Sequence, residues 1–361
     1  MINVTKSFLP PIEEYKQMLD GIWQRAHLTN HGPLVNDLEQ KLKKYLDVPH
    51  FFFLNNGTIA IQIAIKALEL KGEIITTPFS YVATTSSIVW ENCEPVFVDI
   101  DPTNLTIDAT KIEAAITRRT SAILATHVYG IPCNVELIEA IAQKHNIKVI
   151  YDAAHAFGVE YKNKGLLNYG DVSTLSFHAT KLFHTVEGGG ITANDAEVAH
   201  KISYQRNFGH QTPESFYGVG INGKNSEFHA AMGLCNFPHI QTIISEREKI
   251  SEAYNELLFS SNTDLTKPII DINTNYNYSY YPILFKDEEQ LIEVKDALAA
   301  NEIFARRYFN PSLNTLNYIT KKYNCPVSEN ASQRVVCLPL YVGLAIDDVE
   351  RVSNIILNTI K

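Results

Sequence analysis

The chain has 361 residues, 45% of them hydrophobic and 20% charged, enough for two domains around a large buried core. Its 31 basic and 40 acidic residues leave a net charge of −9, which argues against nucleic acid as the main partner. No apolar run reaches the length of a membrane-spanning helix, so no membrane association is expected.

The N-terminus, Met1-Ile2-Asn3-Val4-Thr5-Lys6, lacks a basic stretch followed by an apolar one and does not read as a signal peptide. Cys93, Cys133, Cys235, Cys325 and Cys337 are odd in number, far apart and form no CxxC pair. They read as reduced thiols of a cytoplasmic protein, not as a disulfide framework or a metal site.

From about Phe51 to Ile191 strand-like and helix-like segments alternate. Thr58 to Leu70 carries Ile59, Ile61, Ile63 and Ile65 in alternation, as a strand would. Its length, its good helix formers and the stop at Gly72 predict a helix instead. Asn55-Asn56-Gly57-Thr58 would then offer backbone N–H groups and a hydroxyl to an anion. Pro95 to Ile100, Ser121 to Thr126 and Lys148 to Asp152 are short, apolar and rich in β-branched residues, as buried parallel strands are. Between the last two, Asn134 to Asn146 predicts a helix, with Asn134 as N-cap and Leu137, Ile138, Ile141 and Ala142 on one face. Strand, helix and parallel strand in that order make a βαβ unit.

Two strand ends carry chemistry. Lys148 to Asp152 ends in a carboxylate, and the apolar run from Thr174 is followed by Lys181 and then by the loop Glu187-Gly188-Gly189-Gly190. An amine and an acid so placed suit pyridoxal phosphate: the amine condenses with the aldehyde, and the acid keeps the pyridine nitrogen protonated. Each residue alone has a plainer reading, as a solvated lysine, a strand-end carboxylate or a loop. Their order along the chain is the stronger signal.

After about Pro238 the pattern changes. Ile240 to Leu258 predicts one long helix and Asp271 to Asn277 a polar stretch. Tyr281 to Phe285 predicts a strand, Glu288 to Asn301 a helix, Val335 to Leu340 a strand and Asp347 to Ile360 a closing helix. The expected division is a large domain over residues 1–238, N-terminal segment included, and a small α/β domain over 239–361.

The stretches Thr77 to Thr84, Pro95 to Asp101, His127-Val128-Tyr129-Gly130, Asp152 to Ala156, Ser176 to Lys181 with Glu187-Gly188-Gly189, and Asn222 to Ala231 are similar to those of the DegT/DnrJ/StrS sugar-nucleotide aminotransferase family. The resemblance runs from about Leu28 to Leu340, and the Ser-Phe-His-x-x-Lys motif with its Glu-Gly-Gly is its most specific part. It implies an α/β fold of the aspartate-aminotransferase type (fold-type I): a large domain with a mostly parallel seven-stranded sheet between helices, and a smaller C-terminal α/β domain. It implies pyridoxal 5'-phosphate, a cytoplasmic homodimer with shared active sites, and glutamate and a keto-sugar nucleotide as substrates. Position by position, Lys181 resembles the Schiff-base lysine and Asp152 the partner of the pyridinium nitrogen. Gly57, Thr58 and Ser176 resemble phosphate ligands, and Tyr81 the aromatic ring stacked on the cofactor, with Phe79 as packing. Asn222 resembles the asparagine that reaches the phosphate from the other subunit.

There are two departures. His155 stands where the family has glutamine. Asn222-Gly223-Lys224-Asn225 replaces the family's Asn-Tyr-Arg-Met. Lys224, Arg306, Arg307, Tyr308 and His178 are candidates for substrate contact, and no histidine has metal-ligand spacing. Phe8 to Glu14, Leu28 to Pro33 and Arg306 to Pro311 resemble the subgroup that converts dTDP-4-keto-6-deoxyglucose to dTDP-4-amino-4,6-dideoxyglucose for cell-surface polysaccharide such as O-antigen. The alternatives are amination of another keto-sugar nucleotide, 3-keto or UDP-linked, and a sugar dehydratase of the same fold. Lys181 argues against the dehydratase, where histidine replaces the lysine. A non-catalytic cofactor-binding regulator is disfavoured by the intact Lys181 and Asp152. A dinucleotide-binding protein is disfavoured because no GxGxxG follows an early strand.

Overall fold

A computed structural model describes residues 1–260 and 263–361. Seven strands form the central sheet: β1 His50–Leu54, β2 Glu73–Thr76, β3 Glu94–Phe97, β4 Thr120–Thr126, β5 Lys148–Asp152, β6 Val172–Ser176 and β7 Gly189–Ala193. Their spatial order is β1-β7-β6-β5-β4-β2-β3. Neighbours from β6 through β3 run parallel, and β7 alone is antiparallel to both strands beside it.

Alternate residues of one strand enter different cores. Ile75, Ile123, Val149 and Leu175 pack on one face with Val35, Leu38, Ile138 and Phe183. Ile74, Leu124, Ile150 and Val172 pack on the other with Ile61, Ala64 and Ile202. Both faces are covered, so Ile74-Ile75, Ala122 to Ala125 and Val149-Ile150-Tyr151 are apolar at successive positions.

The predicted helix after β1 spans Gly57–Ala67, and the Asn56 side chain caps it by accepting the Ile59 N–H at 2.8 Å. Alternating isoleucines are compatible with a helix here because it is covered nearly all round: Ala60 through Ile65 are all buried. The next predicted helix spans Val135–His145, with Asn134 as its cap and Asn146 closing it in the left-handed region at φ 52°.

Ile240–Phe259 is one 20-residue helix, and it links two cores. Ile240 and Ile243 join the large-domain core, whereas Ile250, Tyr254 and Leu258 join a second core with Ile283, Leu291, Val336 and Val352. Strand β8 (Pro282–Leu284) pairs antiparallel with β9 (Val335–Cys337), and the helices Glu288–Ala300 and Ile346–Thr359 pack against each other in the same unit. The extreme N-terminus joins this smaller unit, because Ile2–Asn3 pairs in parallel with Ile303–Phe304. A further cluster, including Phe79, Tyr129, Phe309 and Cys337, fills the seam between the two units. All five cysteines are buried free thiols. No helix among the described residues is long and apolar enough to cross a membrane.

Candidate active site

Asp152 ends β5, Ser176 ends β6 and Gly189 begins the antiparallel β7, all on one edge of the sheet. Thr126 pairs with Asp152, Asp152 with Thr174, and Ser176 with Gly189. Open α/β sheets bind ligands at this carboxyl edge. A cavity of about 280 Å³ opens there, lined by Gly57, Thr58, Tyr81, Asp152, His155, Ser176, His178 and Lys181 together with Tyr280, Arg306 and Tyr308.

Lys181 sits five residues beyond the end of β6, in a turn closed by its own N–H donating to the His178 carbonyl at 2.9 Å. The N-terminal segment braces this turn: Ser7 Oγ donates to the Ala179 carbonyl at 2.7 Å, and the His184 ring contacts the Phe8 carbonyl at 2.7 Å. Burial lowers the Lys181 amine to about 8, against a smaller opposing pull from Asp152. An amine titrating near neutrality serves as a nucleophile and as a base.

Asp152 is held by its neighbours. Its Oδ1 accepts the Ala154 N–H at 3.1 Å, and its Oδ2 accepts the Thr84 hydroxyl at 2.6 Å. Behind Thr84 lies a buried row of hydroxyls: Ser80 Oγ is 2.7 Å from Thr84 Oγ1, and Thr126 Oγ1 donates to Ser80 at 3.0 Å. Thr84 gives its proton to the carboxylate, so each hydroxyl donates toward Asp152 and accepts from the one behind. This polarity stabilises the ionised acid. Burial pushes the carboxyl pKa up, and the Thr84 and Ala154 hydrogen bonds oppose it. Thr84→Val removes the donor nearest the charge and is expected to weaken pyridoxal phosphate binding roughly 10- to 100-fold, the scale of a hydrogen bond to a charged group. Equilibrium titration of the apoenzyme measures this, and Thr84→Ser should restore wild-type affinity.

His155 has a defined tautomer. Its Nδ1 accepts the Tyr129 N–H at 3.0 Å, so the ring proton of the neutral histidine lies on Nε2. Burial, and Lys181 to a smaller degree, keep its pKa well below the usual value. The ring stacks on Phe309 at 5.6 Å and lines the cavity, so it can donate one hydrogen bond there as a glutamine would.

Asn56 spends its side chain on the Ile59 N–H, and the helix beginning at Gly57 has its N-terminus on the cavity wall beside Ser176, where its uncommitted N–H groups suit an anion. A Cβ on Gly57 would lie 3.1 Å from Ser176 Cβ. Gly189 allows this approach: a Cβ there would fall 2.4 Å from the Asn56 carbonyl carbon. Gly189 and Gly190 are thus close-contact strand residues, where the sequence suggested a loop.

The other expected residues divide. Tyr81 is exposed and lines the cavity, while Phe79 is buried packing against Tyr129 and Phe309. His178 lies on the wall, 3.6 Å from Glu187. Of the two arginines Arg306 faces the cavity. Arg307, proposed from sequence as a substrate contact, does not line it: its Nη2 donates to Glu288 at 2.7 Å and to the Ser332 and Gln333 carbonyls at 3.1 Å. Asn222 and Lys224 also do not line the cavity of their own chain, and Lys224 Nζ donates to Asn222 Oδ1 at 2.8 Å. Sequence reasoning missed the roles of Ser80, Thr84, Thr126 and Tyr280. The first two lie in or beside the Thr77–Thr84 stretch, whose run of hydroxyls was the available signal.

These residues fit pyridoxal phosphate: a buried acid and a half-buried amine in one cavity, a neutral donor on the same wall, and a helix N-terminus where a phosphate would sit. Residues 11–357 match the model of the DegT/DnrJ/EryC1/StrS aminotransferase family. The chain is 44% identical to a dTDP-4-amino-4,6-dideoxy-D-glucose transaminase of Shigella dysenteriae, over 98% of each chain. It is 40% identical to the Escherichia coli enzyme of the same name, over 99% of this chain and 98% of that one. Among solved structures, DesI with its TDP-sugar product superposes with a TM-score of 0.94 at 29% identity, covering 100% of this chain and 93% of that one. Sequence match, superposition and site geometry agree: the chain belongs to the DegT/DnrJ/EryC1/StrS aminotransferase family and is a pyridoxal phosphate-dependent sugar-nucleotide transaminase.

Proposed function

We propose that the enzyme moves the amino group of glutamate to C4 of dTDP-4-keto-6-deoxyglucose and releases dTDP-4-amino-4,6-dideoxyglucose for cell-surface polysaccharide. One observation carries the reading: Lys181 and Asp152 converge in a cavity whose outer wall is Arg306 and Tyr308, in a chain similar end to end to transaminases named for that sugar. When bound, pyridoxal phosphate supplies an electron sink that makes the donor's Cα proton removable. Asp152 supports that sink by holding a fixed negative charge. Lys181 Nζ takes the proton from glutamate Cα and, in the second half, delivers one to the sugar C4. His155 would hold the cofactor ring through its Nε2 proton, and Gly57, Thr58 and Ser176 would hold the phosphate.

The substrate diphosphate needs local cations on a protein of net charge −9. Arg306 is present in the wall, with its guanidinium 4.9 Å from the Tyr308 ring. Lys224 and Asn222 become available if a second copy presents them to this cavity, as the family's shared-site homodimer does. Five buried thiols suit a reducing cytoplasm.

Mass spectrometry of the product, with glutamate as donor and a panel of dTDP-, UDP- and GDP-linked keto sugars, tests the substrate. A mass shift from ketone to amine only with dTDP-4-keto-6-deoxyglucose supports the reading, and a preference for a 3-keto or UDP-linked sugar overturns it. The shared site has its own test. Lys181→Ala and Asn222→Ala chains, each inactive alone, are expected to regain up to about a quarter of wild-type activity when mixed, since half the sites of a random heterodimer are intact. Sedimentation as a fully active monomer contradicts it.

A further inference from the structure

The stretch Asn273 to Tyr280, polar and unremarkable as sequence, is clamped onto the cofactor side of the fold. Asn277 Nδ2 donates to the carbonyls of His155 and Phe157, both at 2.9 Å, and Ser279 Oγ donates to the His155 carbonyl at 2.6 Å. Tyr276 donates its hydroxyl to the Tyr129 carbonyl at 2.8 Å. From behind, the buried Arg247 of the linking helix donates through Nε to the Tyr278 carbonyl at 2.9 Å and through Nη2 to the Ser279 carbonyl at 2.6 Å. A buried guanidinium committed to two consecutive carbonyls fixes the backbone path of the next residue.

That residue is Tyr280, and its hydroxyl lies 3.3 Å from Lys181 Nζ. Its ring is held edge-on against His155, with centroids 4.7 Å apart, and against Tyr308 at 5.5 Å. We propose that Tyr280 is a further catalytic residue of the transamination: its hydroxyl holds the Lys181 amine whenever that amine is free, and aims it at the substrate carbon.

The chemistry follows from donor counting. A neutral lysine amine has two N–H bonds and one lone pair. Donation of one N–H to Tyr280 Oη sets the direction of the lone pair that must take the substrate proton. After the transfer the ammonium keeps the same partner, so the group that collected the proton is still positioned to return it. The partner must be neutral: a carboxylate there would hold the ammonium and raise its pKa, whereas burial keeps the Tyr280 phenol protonated well above its ordinary range. The other groups facing Lys181 are Asp152, Tyr81 and His155. Asp152 is committed to Thr84 and Ala154, and His155 to Tyr129.

The inference rests on the transaminase chemistry but not on the identity of the sugar. Its test therefore uses the glutamate half-reaction and a measurement made without any substrate. In Tyr280→Phe the ring and its packing stay, and only the oxygen is lost. The single-turnover rate of holoenzyme with glutamate should fall roughly 10- to 100-fold, with little change in glutamate affinity. In full-length apoenzyme, trinitrophenylation of Lys181 by trinitrobenzenesulfonate, in which the free amine displaces sulfite from the ring, followed on its peptide across pH, should have its midpoint moved to lower pH by roughly half a unit or more, because the ammonium loses an acceptor. Arg247→Lys should show both effects in weaker form. A half-reaction rate within about twofold of wild type, or an unshifted Lys181 midpoint, overturns the proposal. Failure to aminate dTDP-4-keto-6-deoxyglucose with both measurements as expected would overturn only the substrate assignment.

Discussion

Lys181→Ala is expected to lose turnover by on the order of 10⁴-fold or more, the upper range for a single acid–base group, while still binding pyridoxal phosphate. The two effects separate because the contacts are separate. Lys181 comes from the turn after β6, whereas the phosphate end is built on the helix beginning at Gly57 and the ring side on Asp152 and His155. Purified wild-type protein should be yellow, and borohydride should fix the cofactor on the peptide that contains Lys181. The variant should take up cofactor that dialysis removes. With the amine near 8, acylation of Lys181 in apoenzyme should be half-maximal near that pH, some two units below an ordinary lysine. The sign follows from burial, which disfavours the ammonium form. Retention of full activity in Lys181→Ala would remove the lysine from the mechanism.

Asp152→Asn should fold and bind cofactor more weakly, with kcat down roughly 10³-fold, the scale of removing one preorganised electrostatic partner. The amide has nearly the same shape, and its oxygen can still accept the Thr84 hydroxyl, so the hydroxyl row survives; its NH2 then faces the Ala154 N–H, and loss of that hydrogen bond should cost about 1 kcal/mol of stability. What is lost is the charge. The spectrum of the bound cofactor should report an unprotonated ring nitrogen, separating this effect from a displaced site. The hydroxyl row also sets a direction for pH: Asp152 serves while ionised, and its pKa is raised, so activity should fall as pH drops through that raised value. Thr84→Val should move this acid limb to higher pH. A near-wild-type rate in Asp152→Asn would assign the charge to another group.

Much of the fold was legible from residue patterns. Lys148–Asp152 is a strand with the expected bounds, and the helices expected from Asn134, Ile240, Glu288 and Asp347 are present within about a residue or two at their ends. These segments are long or strongly patterned, and local capping and burial decide them. The expected strand at Tyr281–Phe285 shortens to Pro282–Leu284, and that at Val335–Leu340 to Val335–Cys337, because their pairing with each other covers only three residues.

Lys181, Asp152 and the Gly57–Thr58 helix start, which share one cavity, stood out in the sequence because each lies beside a local signal: a strand end, a glycine cluster or a cap. What only the tertiary structure decided are pairings between distant segments. Gly189–Ala193 is a strand because β1 and β6 stand on either side of it, more than a hundred residues away in one case, and its Gly189 admits Asn56 and Gly57. Adjacent residues in extended chain point opposite ways, so nothing local selects Arg306 over Arg307 for the cavity; the seat beside Glu288 selects it. Thr84, Ser80 and Thr126 read as ordinary small polar residues until β4, β5 and the helix Val82–Trp90 bring them into line behind Asp152. Tyr280, 99 residues from Lys181, meets it only because the small unit folds back over the sheet edge and Arg247 holds the strap in place. Hydrophobic period and capping act over one or two turns of chain, whereas a catalytic contact is set by the packing of whole elements.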